Sequence, residues 1–341
     1  MLKGLICTAA AGVLAGSALL GASTAAQADA KAFYKGKKIT IMVPYGAGGG
    51  YDTYARIMAP HFAKYLNATV IVQNKPGGGG MIGVNQVANG PKDGTMLVFF
   101  QGTSIAANQL IGVKNVRYDL KTMQHIATVA WSPWLLLVQP KSPINSIADF
   151  KKFGKEITFG GNGPSSADTS GGRMVCMSLG VKCKHVVGYR GSRAASLALS
   201  RGEVDAYYVS DSSAFKYVRA KAGKPVAVFH SVKSIFFPKV KSVYEQTKVD
   251  ERGKWIIGFH NRLEKVGRIL SAPAGVPKDR VELLRKMAKD ILTDPKFVAE
   301  AKSKKRDILF SDGASTEKAL TEILGLNPER KKLASQIIQG K

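Results

Sequence analysis

"KITIMVPYGAGGGYDTYARIMAPHFAKYL", residues 38–66, is the stretch whose reading decides the fold. Its apolar start reads as a buried strand, and "YGAGGGYD" (45–52) as a tight turn. The remainder reads as a helix whose apolar positions include Tyr54, Ile57, Met58 and Phe62. A strand that ends in glycines and opens a helix turns backbone N–H groups, and the positive end of a helix dipole, toward an anion. The anion could be a nucleotide phosphate, a reacting substrate or a carboxylate that is merely held.

Outward from this stretch the pattern repeats. "ATVIVQN" (68–74) is a strand, "KPGGGG" (75–80) a second glycine loop, "MIGVNQVAN" (81–89) a short helix and "TMLVFFQG" (95–102) a strand. This alternation is that of parallel α/β sheets, whose ligands gather at the carboxyl ends of strands. It restarts near Trp134. "WLLLVQP", "EITFGG", "HVVGY", "VDAYYVS" and "PVAVFH" read as strands, with helices at "INSIADFKKFG", "SADTSGGRMVCMSLG" and "SRAASLALSRG". The strand "GRILSAP" (267–273) and two C-terminal helices follow. In the first of these, Val281, Leu284, Ala288 and Ile291 form one apolar stripe.

The glycine loops do not fit a nucleotide. A dinucleotide loop needs G-x-G-x-x-G, but counting from Gly46 the last position is Tyr51, and from Gly48 it is Thr53. The acid expected about 20 positions later is missing, for no Asp or Glu lies between Asp52 and Asp93. No Gly-Lys pair precedes Ser or Thr, which excludes the phosphate-binding loop of the G-x-x-x-x-G-K-S/T type. What remains is curled backbone whose amides converge on one anion, at Gly48, Gly49 and Gly50 and again at Gly78, Gly79 and Gly80. Asp52 is expected to cap its helix rather than touch ligand.

The first 30 residues have a cationic start at Lys3, an apolar stretch from Leu5 to Leu20 and small residues before "AQA" and "ADA". They read as a secretory signal peptide cleaved after Ala28 or Ala30, so the protein is expected to be exported. The chain has 50 Lys and Arg against 24 Asp and Glu, a formal net charge of +26. Export argues against nucleic acid as the partner, and the basic residues are scattered; the positive field suits small anions. Cys176 and Cys183 survive cleavage. An oxidising compartment allows them to pair, two buried free thiols being the competing reading. No histidine or second cysteine stands at metal-ligand spacing beside them.

These stretches resemble the solute-binding receptors of tripartite tricarboxylate transporters, the Bug or TctC-type family. The resemblance rests on residues 33–66 and 70–95, then on "ITFGGNGPSSADT" (157–169), "VVGYRGSRAASLALSRGEVDAYY" (186–208) and residues 267–301. It spans nearly the whole mature chain, in order. It implies a two-lobed periplasmic binding fold of type II, a Venus flytrap with its ligand cleft between the lobes. It also implies a small organic di- or tricarboxylate as ligand, and delivery to a membrane permease of one large and one small subunit. Many members carry a tryptophan-glycine strand before the "AP-G-P" turn. Here "ERGKWIIGFHNRLEKVGRIL" (251–270) reads as a helix running into that strand, which marks a divergent subgroup.

Carried over residue by residue, the resemblance implies a first-lobe site at Tyr45, Gly48–Gly50 and Gly78–Gly80. The second lobe would contribute Asn162, Gly163, Ser165, Ser166 and Thr169, ligand contact being the favoured reading and a bare helix cap the alternative. Tyr189 and Arg190 stand at another strand end, where Arg190 could pair with a carboxylate or lie in solvent. Asp211 could accept from a ligand hydroxyl or amine, and Trp131 could wall the pocket or pack in the core. The expected division is a discontinuous first lobe, 33–132 plus 256–341, and a second lobe, 136–250. No catalytic group is expected, because the five histidines are dispersed and "SAFK" (213–216) lacks its companion motifs. Neither cofactor nor metal is expected, and the protein is read as a monomer. A rival reading is a sensor subunit that presents its ligand to a membrane histidine kinase.

Overall fold

The computed structural model describes residues 29–189 and 191–340. The expected signal peptide lies outside them up to position 28, as does Arg190. The chain forms two compact units. The first is 1–100 with 122–127 and 270–313; the second is 101–121 with 128–269 and 314–341.

The opening stretch folds as read: β1 (Lys38–Val43) leads through the glycine turn into α1 (Gly50–Leu66). Then come β2 (Thr69–Asn74), a single 3₁₀ turn at Gly78–Gly80, α2 (Met81–Ala88) and β3 (Met96–Gln101). Both β2 and β3 pair parallel to β1. Two further elements, α3 (Gly102–Leu110) and β4 (Gln124–Ala130), were not among the sequence expectations. Their residues carry no clean period, and Gly102 opens α3 only because its missing side chain lets it lie against the Val266 carbonyl, 2.0 Å from where a Cβ would stand.

The second unit centres on β5 (Trp134–Val138), β6 (Ile157–Gly161), β7 (Cys183–Val187), β8 (Ala206–Ser210) and β9 (Lys224–Val228), ordered β7-β6-β8-β5-β9. The alternation predicts an all-parallel sheet, but β5 runs antiparallel to both β8 and β9, while β6 is parallel to β7 and β8. Leu135, Leu136, Leu137 and Val138 are all fully buried, as befits a continuous apolar run in a central strand. Besides α3, and two C-terminal helices described below, this unit contains α4 (Ile147–Lys151), α5 (Ala167–Leu179), α6 (Ser192–Arg201), α7 (Asp211–Arg219), α8 (Val243–Gln246) and α9 (Glu251–Lys265).

Helix α9 is the divergent segment, and it belongs to the second unit. It buries Ile256, Ile257 and Phe259 together with two titratable groups, His260 and Glu264. The Tyr208 hydroxyl donates to Glu264 Oε1 at 2.9 Å, and His260 Nδ1 lies 3.0 Å from the same oxygen. Burial nevertheless pushes the Glu264 carboxyl above the usual carboxylate range.

After β10 (Arg268–Ala272) the structure has four helices where two were expected. These are α10 (Lys278–Leu292), α11 (Pro295–Ser303), α12 (Gly313–Leu324) and α13 (Pro328–Gln339), with the two-residue strand β11 (Ser311–Asp312) before α12. Pro295 and Pro328 stand in the first turns of α11 and α13, where proline opens a new helix rather than extending an old one. In α10 the stripe Val281, Leu284, Ala288 and Ile291 is buried. The last helix, α13, packs on α5 in the second unit. The unit bounds thus differ from the expected lobes in assigning 101–121, 128–132, 256–269 and 314–341 to the second unit.

Helix α5 ends at Gly180 in the left-handed conformation (φ 68°), and its N–H returns to the Cys176 carbonyl. The chain doubles back, and Cys183, the first residue of β7, is joined to Cys176 by a disulfide. Protein denatured without reductant should therefore leave neither cysteine open to a thiol reagent in peptide mapping. Cys176→Ser should cost about 2.5 kcal/mol of stability, the chain-entropy value for so short a loop; two labelled cysteines would overturn the pairing.

Candidate functional site

The first unit brings its expected residues together. At the end of β1 the carbonyl of Tyr45 accepts from Asn74 Nδ2 at 3.0 Å, which ties it to the end of β2. The Tyr45 ring packs at a tilt, 4.7 Å from Tyr51 between centroids, and lies over Gly80, where a Cβ would come within 2.9 Å of its hydroxyl. The glycine turn and the glycine loop are thus neighbours, joined by one tyrosine.

Asp52, expected to cap its helix, is not the cap and instead braces the turn before it. Its carboxylate accepts from the Gly48 N–H at 2.8 Å and from Arg56 Nε at 3.0 Å, and Arg56 Nη2 donates to Asn74 Oδ1 at 3.1 Å. The Arg56 side chain, first, and the Gly48 amide hold the Asp52 carboxyl below the usual carboxylate range. The helix cap itself is Gly49, in extended backbone. Gly48 is the residue that must be glycine, because its φ of +74° is strained for any residue with a Cβ. With the Gly48 amide taken by Asp52, the exposed N–H groups of Gly49 and Gly50 have no acceptor among the described residues. In the second loop Gly77, Gly78, Gly79 and Gly80 all have positive φ.

In the second unit the turn between β6 and α5 is organised by a residue that the sequence analysis passed over, Asp168. It is buried, and its carboxylate accepts from the Asn162 N–H at 3.0 Å and the Thr169 N–H at 3.0 Å. The Ser166 hydroxyl and, at 3.4 Å, the Tyr207 hydroxyl also donate to it. Burial, opposed by these donors, pushes its carboxyl up. Ser166 Oγ lies 2.8 Å from the Gly163 carbonyl and 3.0 Å from Thr169 Oγ1, and it accepts from the Gly163 N–H at 3.1 Å. Thr169 is fully buried.

Gly163, Ser166 and Thr169 therefore build the turn rather than line its open side. Among the described residues the half-buried Ser165 hydroxyl and the buried Asn162 Oδ1 are left without a hydrogen-bond partner. The only sequence signal for Asp168 was its place in the first turn of a helix, where an acid usually means no more than a favourable dipole contact.

The other expected residues fall elsewhere in this unit. The Tyr189 N–H donates to the Gly161 carbonyl at 3.3 Å, and its ring packs on the cluster of Leu135, Leu199 and Tyr207. Asp211 is buried at the start of α7 and accepts from the Ser234 hydroxyl at 3.1 Å, which anchors the loop after β9. Trp131 stacks 5.5 Å from His230, a buried imidazole whose Nδ1 accepts from the Val232 N–H at 2.9 Å. Burial pulls the His230 pKa down to about 4, so it is neutral at physiological pH. Among the described residues no group of three or more His, Cys, Asp and Glu is placed to hold a metal, and no helix is long and apolar enough to cross a membrane.

Chemically, each turn offers N–H groups and hydroxyls at a helix N-terminus. In the second, the Ser166 hydroxyl is held by the Asp168 carboxylate and the Gly163 carbonyl. Such turns can hold an anion.

A sequence profile described as the tripartite tricarboxylate transporter family receptor matches residues 54–324. A UPF0065 protein of Bordetella pertussis is 28% identical over 285 residues, 82% of this chain and 83% of that protein. The chain is similar in structure to a TctC solute-binding protein from Polaromonas, with TM-score 0.71 and 23% identity over 90% of this chain and all of that one. It is also similar to MatC from Rhodopseudomonas palustris with bound malate (TM-score 0.66, 20% identity, 89% and 99% covered). A further R. palustris protein, with adipate, gives TM-score 0.68 at 19% identity, with 89% and 97% covered.

The Asp52 bonds predict a pH signature. A carboxyl whose pKa is lower folded than unfolded stabilises the protein above its unfolded value, about 3.9, and loses that contribution as pH falls through the folded one. Asp52→Asn should thus unfold at lower denaturant than the parent at pH 7, with the two converging below about pH 4. An undiminished gap at pH 3 would show that the charge is not responsible.

Proposed function

Because the chain belongs to the family of tripartite tricarboxylate transporter receptors, we propose that it captures a small organic di- or tricarboxylate in the periplasm and delivers it to a membrane permease of one large and one small subunit. The observation that carries this reading is the pair of strand–turn–helix junctions. Each is braced from behind by a buried aspartate and leaves polar groups uncommitted on its open side: the Gly49 and Gly50 amides in the first unit, the Ser165 hydroxyl and Asn162 side chain in the second. Malate in MatC and adipate in the second R. palustris protein support a carboxylate as the ligand class. The net charge of +26 favours the approach of such an anion. Holding without reacting fits a receptor rather than an enzyme.

A thermal-shift screen of organic acids tests the reading. A cognate acid at 100 times its dissociation constant should stabilise the protein by about 2.7 kcal/mol. Neutral sugars and amines should do nothing, and a panel in which no di- or tricarboxylate raises the melting temperature would refute the proposal. With the acid in hand, Ser165→Ala should weaken binding by about 1.5–3 kcal/mol, the range for a hydrogen bond to a charged acceptor. Ser166→Ala should instead lower the melting temperature, because its hydroxyl is spent on Gly163, Asp168 and Thr169. Gly48→Val should damage both fold and binding through its positive φ, and Gly48→Asn should be milder.

A further inference from the structure

Behind the Ser165 turn, wholly within the second unit, lies a cavity of about 530 Å³ at the junction of α5, β7, α9 and α13. Arg173, Arg252, His185, Met177 and Val181 line it, together with the Cys176–Cys183 disulfide. No acidic side chain does. Its size falls within the range of ordinary small-molecule sites.

Arg173 is the telling residue. Its Nη1 donates to the Pro164 carbonyl at 2.6 Å and to the Ile338 carbonyl at 2.6 Å, which fixes the guanidinium in place. Both bonds use one nitrogen; Nε and Nη2 have no acceptor among the described residues. Partial burial pulls the pKa of this arginine down, the mark of a charge taken from water without a counter-ion. A half-buried guanidinium usually meets a carboxylate or phosphate, which its fork of donors fits in bidentate fashion. Here the described residues supply none. Arg252 on α9 adds a second positive charge with no acidic partner in the cavity. His185 does not add a third, since burial and then Arg173 lower its pKa to about 4. The remaining wall is Gln336, Gly180 and Gly340 beside an apolar surface made of a thioether, a valine and a disulfide.

We propose that this cavity is a second ligand site, distinct from the two glycine- and serine-bearing turns, which takes a small carboxylate with an apolar body. The carboxylate meets the free edge of the Arg173 guanidinium and the Arg252 charge, and the apolar body lies on Met177, Val181 and the disulfide.

Sodium octanoate is the probe, with octan-1-ol as its neutral counterpart. Isothermal titration should show saturable binding of one octanoate, weakened at least tenfold in Arg252→Glu and in Arg173→Gln, with no binding of the alcohol. Arg252 is exposed on the surface of α9, so its variant keeps the fold even if loss of the Arg173 bonds does not. Ser165→Ala should bind octanoate as the parent does, which separates this site from the carboxylate turn. Octanoate binding that is absent, that matches the alcohol, that survives Arg252→Glu or that is lost in Ser165→Ala would overturn the proposal.

Discussion

Two buried or nearly buried carboxylates, Asp52 and Asp168, hold the turns on which the rest of the candidate site depends. Each sits in the first turn of a helix and reaches back to an amide of the preceding segment, Gly48 in one case and Asn162 in the other. A glycine-rich turn without such an anchor is one of many conformers. With it, the backbone is committed before any ligand arrives, and the entropy of ordering the turn is already settled. The two anchors differ in electrostatic setting. Asp52 has an arginine beside it that lowers its carboxyl, whereas Asp168 lies deep among hydroxyls and amides, and burial outweighs these donors and raises its carboxyl.

This arrangement also divides the polar groups of each turn into two classes. Some amides and hydroxyls are used internally and give shape. Others, fewer, are left over and point to recognition. A binding protein needs both, because a turn whose every donor is uncommitted would cost too much to hold, and one whose every donor is satisfied would bind nothing.

The first unit was legible because its signals are local: an apolar strand, a run of glycines and an apolar helical face follow one another within 29 residues of sequence, 38–66. The glycine run also located the turn, but not which glycine matters; only φ distinguishes Gly48 from Gly49. In the second unit the Ser165–Thr169 stretch was found and its inner workings were not. Whether a serine faces ligand or an aspartate two residues away depends on rotamers, which spacing does not encode. Strand direction was equally hidden: β5 has the composition of any buried strand, and its antiparallel pairing follows from where the chain enters the sheet. The extra C-terminal helices were announced by Pro295 and Pro328, punctuation that a search for one long apolar stripe passes over.

The order in which the chain visits its two units has a consequence for biogenesis. The boundaries at 100/101, 121/122, 127/128, 269/270 and 313/314 mean five passages between them. The first unit lacks part of its body until residue 313 has been made, and the second until α13 has been. Neither can complete itself on a half-finished chain. A polypeptide built in this way can form local strand–helix contacts early, but both cores wait for segments made near the end of synthesis.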